Sequence, residues 1–358
     1  MSERFDIIVA GSGAAGIAAA VSAARAGART LLFDKNSSVG GTGGLSGLTT
    51  LCGLYDDAGN FLNDGFSREF AEAISETAPV KMGKLWVSPY RPEKFCAVAE
   101  SFFSKEPNLQ TRWNSSIENV VVKNDKILSV NGFETRAVID CSGTAEIAQK
   151  TGLETLATDE RTQASSVVFT LEKVWRNLQT PADAAQILLP LARAGFPTAN
   201  FQPNPKPNSV TVKFSGTPEQ APALVEFLQK NVHGFENCSA PTKYFSIARR
   251  AGRMIVGEYL LTGADVLAAK KFSDAAARCS WPVEQWNEKG AVRFRYLPSG
   301  EHYEIPARAL RAAKIKNLFM AGKTISADVD AIASARVMGC CLATGAAAGK
   351  MAAETLKM

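Results

Sequence analysis

Four residues carry the clearest chemistry in the sequence. Gly11, Gly13 and Gly16 stand in the run Gly11-Ser12-Gly13-Ala14-Ala15-Gly16, and Asp34 lies 34 − 11 = 23 residues beyond the first of them. In a Gly-x-Gly-x-x-Gly turn the first glycine allows the tight bend, and the second lets a pyrophosphate reach the backbone. The third lets helix and strand pack closely. An acid about twenty residues on accepts hydrogen bonds from an adenosine ribose and disfavours a 2′-phosphate, so the pattern asks for FAD or NAD rather than NADP. Taken alone, the glycine spacing also fits an ordinary structural turn.

The flanking elements decide for a dinucleotide site. Phe5 to Ala10 is a short apolar run, the form of a buried parallel strand. Ala14 to Ala26 then reads as an Ala-rich helix, and Thr30 to Phe33 as a second strand ending on Asp34 and Lys35. Strand, glycines, helix, strand and acid fall in register, with Ala14 and Ala15 in the helix's first turn. The free N–H groups and positive dipole end of that helix face the phosphates.

Behind Asp34 come Gly40, Gly41, Thr42, Gly43, Gly44 and Gly47. A flexible loop is one reading; a backbone lying against a flat cofactor is the favoured one, and it leans toward a flavin. Asp64 to Glu76 and Pro92 to Lys105 have helical spacing. Lys81 to Tyr90 reads as irregular chain bordering a pocket. Leu109 to Val130 reads as strands around a turn at Lys123 to Lys126, and Ala137 to Asp140 as a strand breaking at Cys141-Ser142-Gly143-Thr144. Ser165 to Leu171 and Ser209 to Phe214 are strands, with helices near Ala182 to Ala194 and Pro218 to Lys230; residues 200 to 208 form a Pro-rich loop. Val256 to Thr262 reads as a strand, Gly263 to Arg278 as a helix, Trp281-Pro282 as a loop start and Tyr303 to Pro306 as a returning strand. Asn317 to Ala321 is a last buried strand ending at Gly322. Residues 323 to 352 begin irregular and become a small-residue helix from Met338.

The fold class expected is therefore α/β: a Rossmann-like dinucleotide-binding domain with a parallel central sheet, FAD-binding if the leaning toward a flavin holds, and a second, mixed α+β substrate domain. The boundaries expected are 1–155 with 305–358 for the first and 156–304 for the second, residues 45–95 partly bordering the pocket. At 358 residues and 46 % hydrophobic, the chain can bury such a core. Its net charge of +5 is scattered rather than gathered into a basic stripe, which argues against nucleic acid. No apolar run reaches the length of a membrane span, and a core strand at Phe5 leaves no room for a signal peptide. A cytoplasmic location is expected, with a small-molecule substrate as partner and self-association left open. Seven cysteines without CxxC spacing read as reduced thiols, and two histidines make a histidine-built metal site an unlikely design, so no metal is expected.

The residues resemble the FAD-dependent oxidoreductases of the glutathione-reductase-like superfamily, related to fumarate-reductase-type flavoproteins. The likeness rests on GSGAAGIAAA, LLFDK, GGTGGLSGL, AVIDCSGTAEIA, RAGRMIVGEYLLT, WPVEQW, YEIPARAL and NLFMAGKTISADVDAIASARVMGCCLATGAAAG. It covers the chain except for the stretch near 172 to 242. The resemblance implies extended FAD, with Gly11, Gly13 and Gly16 at the pyrophosphate, Asp34 at the adenosine ribose, and a strand near Ile117 passing the adenine. It also implies Ser142 and Gly143 near the adenine-side phosphate, and Gly41 to Gly44 with Arg336, Val337, Met338 and Gly339 flanking the isoalloxazine. The helix start near Gly339 would favour negative charge developing on the flavin. Family members often carry histidine where this chain has Val329, an acid and a serine where it has Ala251 and Gly252, and Asp and His where it has Glu284 and Gln285 or Trp286. The substrate here need not be the family's usual one.

The function expected is a two-electron oxidoreductase (EC 1) that dehydrogenates a small organic substrate by hydride transfer to flavin N5, reoxidised by oxygen or another acceptor. The absence of a second glycine fingerprint argues against a nicotinamide-fed reductase. The alternatives are a flavin-dependent monooxygenase or halogenase, and an FAD-containing accessory protein acting on a partner. His302, Glu284, Tyr259 and Asp330 are the acid–base candidates, although Asp330 and Arg336 are better read as a mutual ion pair. Arg249, Arg250 and Arg253 form either a solvated face or an anchor for carboxylate or phosphate. Cys340-Cys341 reads as small buried residues rather than as a reactive or flavin-linked thiol pair.

Overall fold

The computed structural model describes residues 3–159, 163–176, 181–240, 247–286 and 292–357. Its opening strand, Arg4–Ala10, buries Phe5, Ile7, Ile8 and Val9 completely. Parallel neighbours flank both of its edges: Thr30–Phe33 on one side, in register Ile7 to Thr30, and Phe133–Asp140 on the other, Ala10 opposite Asp140. Its two faces are covered by separate apolar layers, Ile7 and Val9 packing with the helices and Phe5 and Ile8 with Ile117, Ile147 and Met320. Leu109–Arg112 extends the sheet beyond Thr30–Phe33 in parallel. Leu318–Met320 lies parallel to the last residues of Phe133–Asp140, Met320 opposite Asp140. Lys126–Val130 and Val120–Lys123 close the sheet as antiparallel strands. The molecule is thus α/β with a parallel-dominated, Rossmann-like central sheet. Ala10, Phe33, Asp140 and Met320 end their strands at one edge, where open α/β sheets bind ligands.

One layer over this sheet is a pair of small-residue helices, Ala14–Arg25 and Met338–Glu354. They sit so close that a Cβ on Gly345 would lie 2.1 Å from the Ala15 carbonyl oxygen, and one on Gly349 2.4 Å from that of Ala19. Alanine and glycine dominate both helices because a larger side chain would push apart the two segments that frame the ligand edge.

A three-stranded antiparallel wall stands off this edge, with Ser209–Phe214 between Val167–Glu172 and Asn200–Pro203. Its alternation sorts the side chains by face. Val210, Val212 and Phe214 join Phe169, Leu224 and Leu228 in a separate apolar cluster, while Thr211 and Lys213 point the other way. The Thr49 hydroxyl meets the Thr211 hydroxyl at 2.7 Å and the Pro203 carbonyl at 2.9 Å, tying the wall to the glycine-rich segment. A hairpin of Val283–Trp286 and Val292–Arg295 stands beside it.

Several expectations are corrected. Residues 256–262 form no strand; Arg253–Ile255 pairs instead with Thr155–Ala157. The helix begun at Gly263, capped by Thr262 and Asp265, stops at Leu267, ahead of Ala269 in a left-handed conformation (φ +49°). Ala275–Cys279 then pairs with Tyr303–Pro306. The Pro-rich segment contains the strand Asn200–Pro203, where proline is tolerated at a sheet edge. Residues 81–90 belong to the hairpin of Val80–Met82 and Leu85–Pro89, turning at Gly83. Gly41–Leu45 is one helical turn rather than a loop. Val329–Ala335 is a helix whose N-cap, Asp328, accepts from the Asp330 and Ala331 N–H groups. Not all cysteines are thiols: Cys279 and Cys340 form a disulfide, because packing of Ala275–Cys279 on the start of the last helix brings their Cα atoms to 6.0 Å.

Candidate functional site

A cavity of about 540 Å³ runs along the carboxyl edge of the sheet. At one end it is lined by Gly11, Ser12, Gly13, Ala14, Ala15, Asp34, Lys35, Ile117, Ser142, Gly143, Gly322 and Lys323. Gly11 takes a left-handed conformation (φ +96°), and a Cβ there would stand 2.7 Å from the Cys141 carbonyl oxygen. Gly16 lies off the cavity and serves packing, its hypothetical Cβ 1.7 Å from the Gly11 carbonyl oxygen. Gly13 differs from both. Its φ of −72° suits any residue and a Cβ would meet no protein atom within 4 Å, so only something in the cavity needs that space. Gly13 caps the helix Ala14–Arg25, whose first-turn N–H groups have no partner within the helix. That leaves an open cradle with free donors at the helix start.

Asp34, 6 % exposed, is held firmly. One carboxylate oxygen accepts from the Ser12 N–H and hydroxyl, each at 2.6 Å. The other accepts from the Asn36 N–H and side-chain amide, each at 2.8 Å. It therefore organises the turn around the cradle as well as bordering it. Fully buried Asp140 does the same for the neighbouring turn, accepting from Ser142 and from the Ile147 N–H; burial pushes its carboxyl above the usual range. Ile117 lines the cavity from a loop, not from the strand expected there. Lys35 pairs with Glu146 at 2.9 Å. Lys323 reaches the Arg249 carbonyl at 3.3 Å, and burial pulls its ammonium down to about 8.

The other end is a chamber between Gly41-Thr42-Gly43, Arg336-Val337-Met338, the three-stranded wall and the Val283–Trp286 hairpin. The buried Glu284 carboxylate accepts indole N–H groups from Trp281, at 2.8 Å, and from Trp286. Burial works against its charge, but Arg336, Lys213 and Arg250 outweigh it and hold Glu284 below the usual carboxylate range. Arg250 donates to the Ala164 carbonyl and, at 2.8 Å, to the Ser166 hydroxyl, and lies 4.3 Å from the Trp286 ring centre. The Lys213 ammonium lies 4.7 Å from the same ring. Burial and Arg250 together pull it down to about 8.

Of the acid–base candidates, only Glu284 reaches the cavity, and there it is a charged acceptor. Tyr259 instead donates to Asp265 at 2.9 Å and accepts from Lys270. His302 sits outside the cavity near Lys271 and Arg278, and burial with those cations lowers its pKa. Asp330 pairs with Arg295 at 2.6 Å and accepts from Gln285, not from Arg336, which faces Glu284. Gly44 and Gly339 are packing positions: hypothetical Cβ atoms would stand 2.3 Å from the Cys96 sulfur and 2.5 Å from the Gly53 backbone. Cys341 lines the cavity as a free thiol, pushed up to about 12 by burial. The arginine knot divides: Arg249 and Arg250 line the cavity, while Arg253 points away toward Thr155. Sequence reasoning missed Lys213, Gln202 and Asp140. The signal for Lys213 was present, since in Ser209–Phe214 the polar residues Thr211 and Lys213 alternate with apolar ones.

The cradle on a Rossmann-like edge is continuous with a second chamber at the start of the last helix, and the fold is that of a flavoprotein. The chain belongs to the FAD dependent oxidoreductase family, whose pattern it matches over residues 6–201 and 200–358, and FAD is its cofactor. It is 28 % identical over 163 residues to the tRNA uridine 5-carboxymethylaminomethyl modification enzyme MnmG of Aquifex aeolicus. That match takes in 40 % of this chain and 25 % of the relative, so the shared stretch spans a quarter of that protein. Among solved structures, Aquifex aeolicus GidA superposes with a TM-score of 0.56 at 14 % identity, over 98 % of this chain and 66 % of that one. A geranylgeranyl bacteriochlorophyll reductase-like protein of Thermoplasma acidophilum superposes at 0.53 and 14 % identity, over 100 % and 80 %. At such identities the likeness speaks for the fold.

Proposed function

We propose that this flavoprotein dehydrogenates a small organic substrate held in the chamber beyond the phosphate cradle. The observation that carries the reading is the continuity of the cavity from Asp34 and Ile117 to Arg336, Glu284 and the wall residue Lys213. One stretch suits an extended dinucleotide and the remainder a second, smaller molecule. FAD held there would supply two-electron acceptor chemistry and be reoxidised by oxygen or another acceptor. Gly13 and the helix start behind it hold the phosphates, and Asp34 fixes the turn that presents them. Gly41 to Gly43 and Arg336 to Met338 form the sides of the chamber. The wall and Trp281, Trp286, Phe294 and Tyr296 line it, and the buried indoles of Trp281 and Trp286 keep water from the Glu284 carboxylate they hold.

The test is anaerobic. Yellow holoprotein is mixed with a panel of small alcohols, amines and acids, and the visible flavin band is followed. Bleaching by one member without NAD(P)H is the expected result. Bleaching by NAD(P)H alone, with oxygen uptake once air is admitted, would replace this reading with a monooxygenase.

A further inference from the structure

Among the described residues, the cations Lys213 and Arg336 outnumber the one carboxylate that faces them in the chamber, Glu284, and Arg250 adds to the positive field. The other acids lining the cavity, Asp34 and Glu146, belong to the far end and are engaged there by Ser12, Asn36 and Lys35. Glu284 is further occupied by two indole donors. Two of the three cations keep unused donors. Among the described residues the Lys213 ammonium has no hydrogen bond or ion pair, only the Trp286 ring at 4.7 Å. Arg336 makes one long contact, 3.4 Å, to the Glu284 carbonyl, and its Nε is buried with no partner. A buried donor left unmade is expensive, so the Arg336 Nε points to something that arrives with the ligand, and the half-buried Lys213 ammonium beside it is open to an anion. Gln202 adds a buried Oε1 without a partner. It stands on the same wall face as Lys213, since Gln202 pairs with Thr211 and Asn200 with Lys213.

We propose that the substrate is a small organic acid whose carboxylate is bound by Lys213 and Arg336, in the fixed positive field of Arg250. This rests on the reading of the chamber as the substrate site. A planar carboxylate suits a guanidinium edge beside a compact ammonium. Gln202 is left to accept a hydroxyl or amine hydrogen of the same molecule. Arg250 is held by Ala164 and Ser166 and contributes charge rather than a free fork.

FAD-loaded wild type and the variants Lys213→Met and Lys213→Arg are titrated with benzoate, lactate, their amides and phenyl phosphate, and binding is read from the flavin difference spectrum. Both acids should give saturable perturbations and the amides none. Lys213→Met should weaken the acids by about tenfold or more, as loss of a hydrogen bond to a charged group implies, and Lys213→Arg should restore most of the loss. Equal binding of acid and amide, tighter binding of phenyl phosphate, or unchanged acid affinity in Lys213→Met would overturn the assignment. So would loss of FAD from Lys213→Met, which would give the cations to the cofactor. The two readings fail separately. Acids that bind as described while nothing in the panel bleaches the flavin would sink the dehydrogenase and leave the acid subsite. Neutral substrates that bleach it while acids neither bind nor compete would do the reverse.

Discussion

The contact between the first and last helices sets the frame of the proposed FAD cradle, and a single methyl group tests it. In Gly345→Ala the new Cβ would lie 2.1 Å from the Ala15 carbonyl oxygen, whereas real Cβ atoms essentially never approach closer than 3.0 Å, so the backbones must part by at least 3.0 − 2.1 = 0.9 Å. Neither partner is a flexible side-chain end that could swing aside. Overpacking of this kind costs about 1–3 kcal/mol, against a gain of up to about 1 kcal/mol from replacing glycine by alanine inside a helix. A net loss of roughly 2 kcal/mol follows from the upper end of that range. Because Ala15 lines the cradle, the variant should also hold FAD less tightly. Urea unfolding of the holoprotein gives the first quantity, and the FAD-to-protein ratio after dialysis gives the second. Ala347→Gly, at a half-buried position on the same helix, is the control, losing only propensity of about 1 kcal/mol and no cofactor. A Gly345→Ala protein as stable as wild type and fully loaded with FAD would refute the rigid helix contact.

Other outcomes follow from the cavity itself. Asp34→Asn would turn an amide donor toward the Ser12 or Asn36 donors and should lower FAD affinity at least tenfold, for about 1–3 kcal/mol of lost pairing; unchanged reconstitution of apoprotein would remove Asp34 from the site. Glu284→Gln leaves Lys213, Arg250 and Arg336 facing one another and should destabilise the fold by about 3 kcal/mol in urea, so a loss near zero would mean the cations are solvated. Lys213 is depressed to about 8 from 10.5, so the native state releases this proton before the unfolded chain does. Its contribution to stability therefore rises with pH between those values, while carboxylate affinity falls above about 8. A bound acid favours the ammonium and moves that midpoint upward, and a flat profile in wild type would exclude Lys213 from the carboxylate. Alkylation of denatured, unreduced protein should label the five free cysteines, Cys52, Cys96, Cys141, Cys238 and Cys341, and mass spectrometry should find seven after reduction.

The elements at the sheet-edge end of the cavity were largely legible in the chain because they are contiguous. Turn, helix start and strand end are fixed by residues within about thirty positions, and each leaves a local mark: a glycine where φ is positive, an apolar run where a strand is buried. The misread stretches lack that mark. Residues 256–262 read as a strand by type but bury only Leu261, which packs against elements distant in sequence, and Leu260 stays exposed. The helix after Gly263 ends where local capping ends, not where the apolar pattern does. His302 and Tyr259 were attractive by type alone, and no pattern in a sequence reports which way a half-buried side chain faces.

By itself, the sequence determined the nucleotide-binding unit, the parallel sheet and the small-residue helix that closes it, because hydrogen-bonding period and steric allowance act over a few residues. Only the tertiary structure decided the charge of the chamber. Lys213 comes from the wall, Arg250 from a connecting segment, Glu284 from a hairpin and Arg336 from the turn before the last helix. Their Coulomb interaction depends on separation in space and on the water excluded around them, and neither quantity is written in the order of the residues.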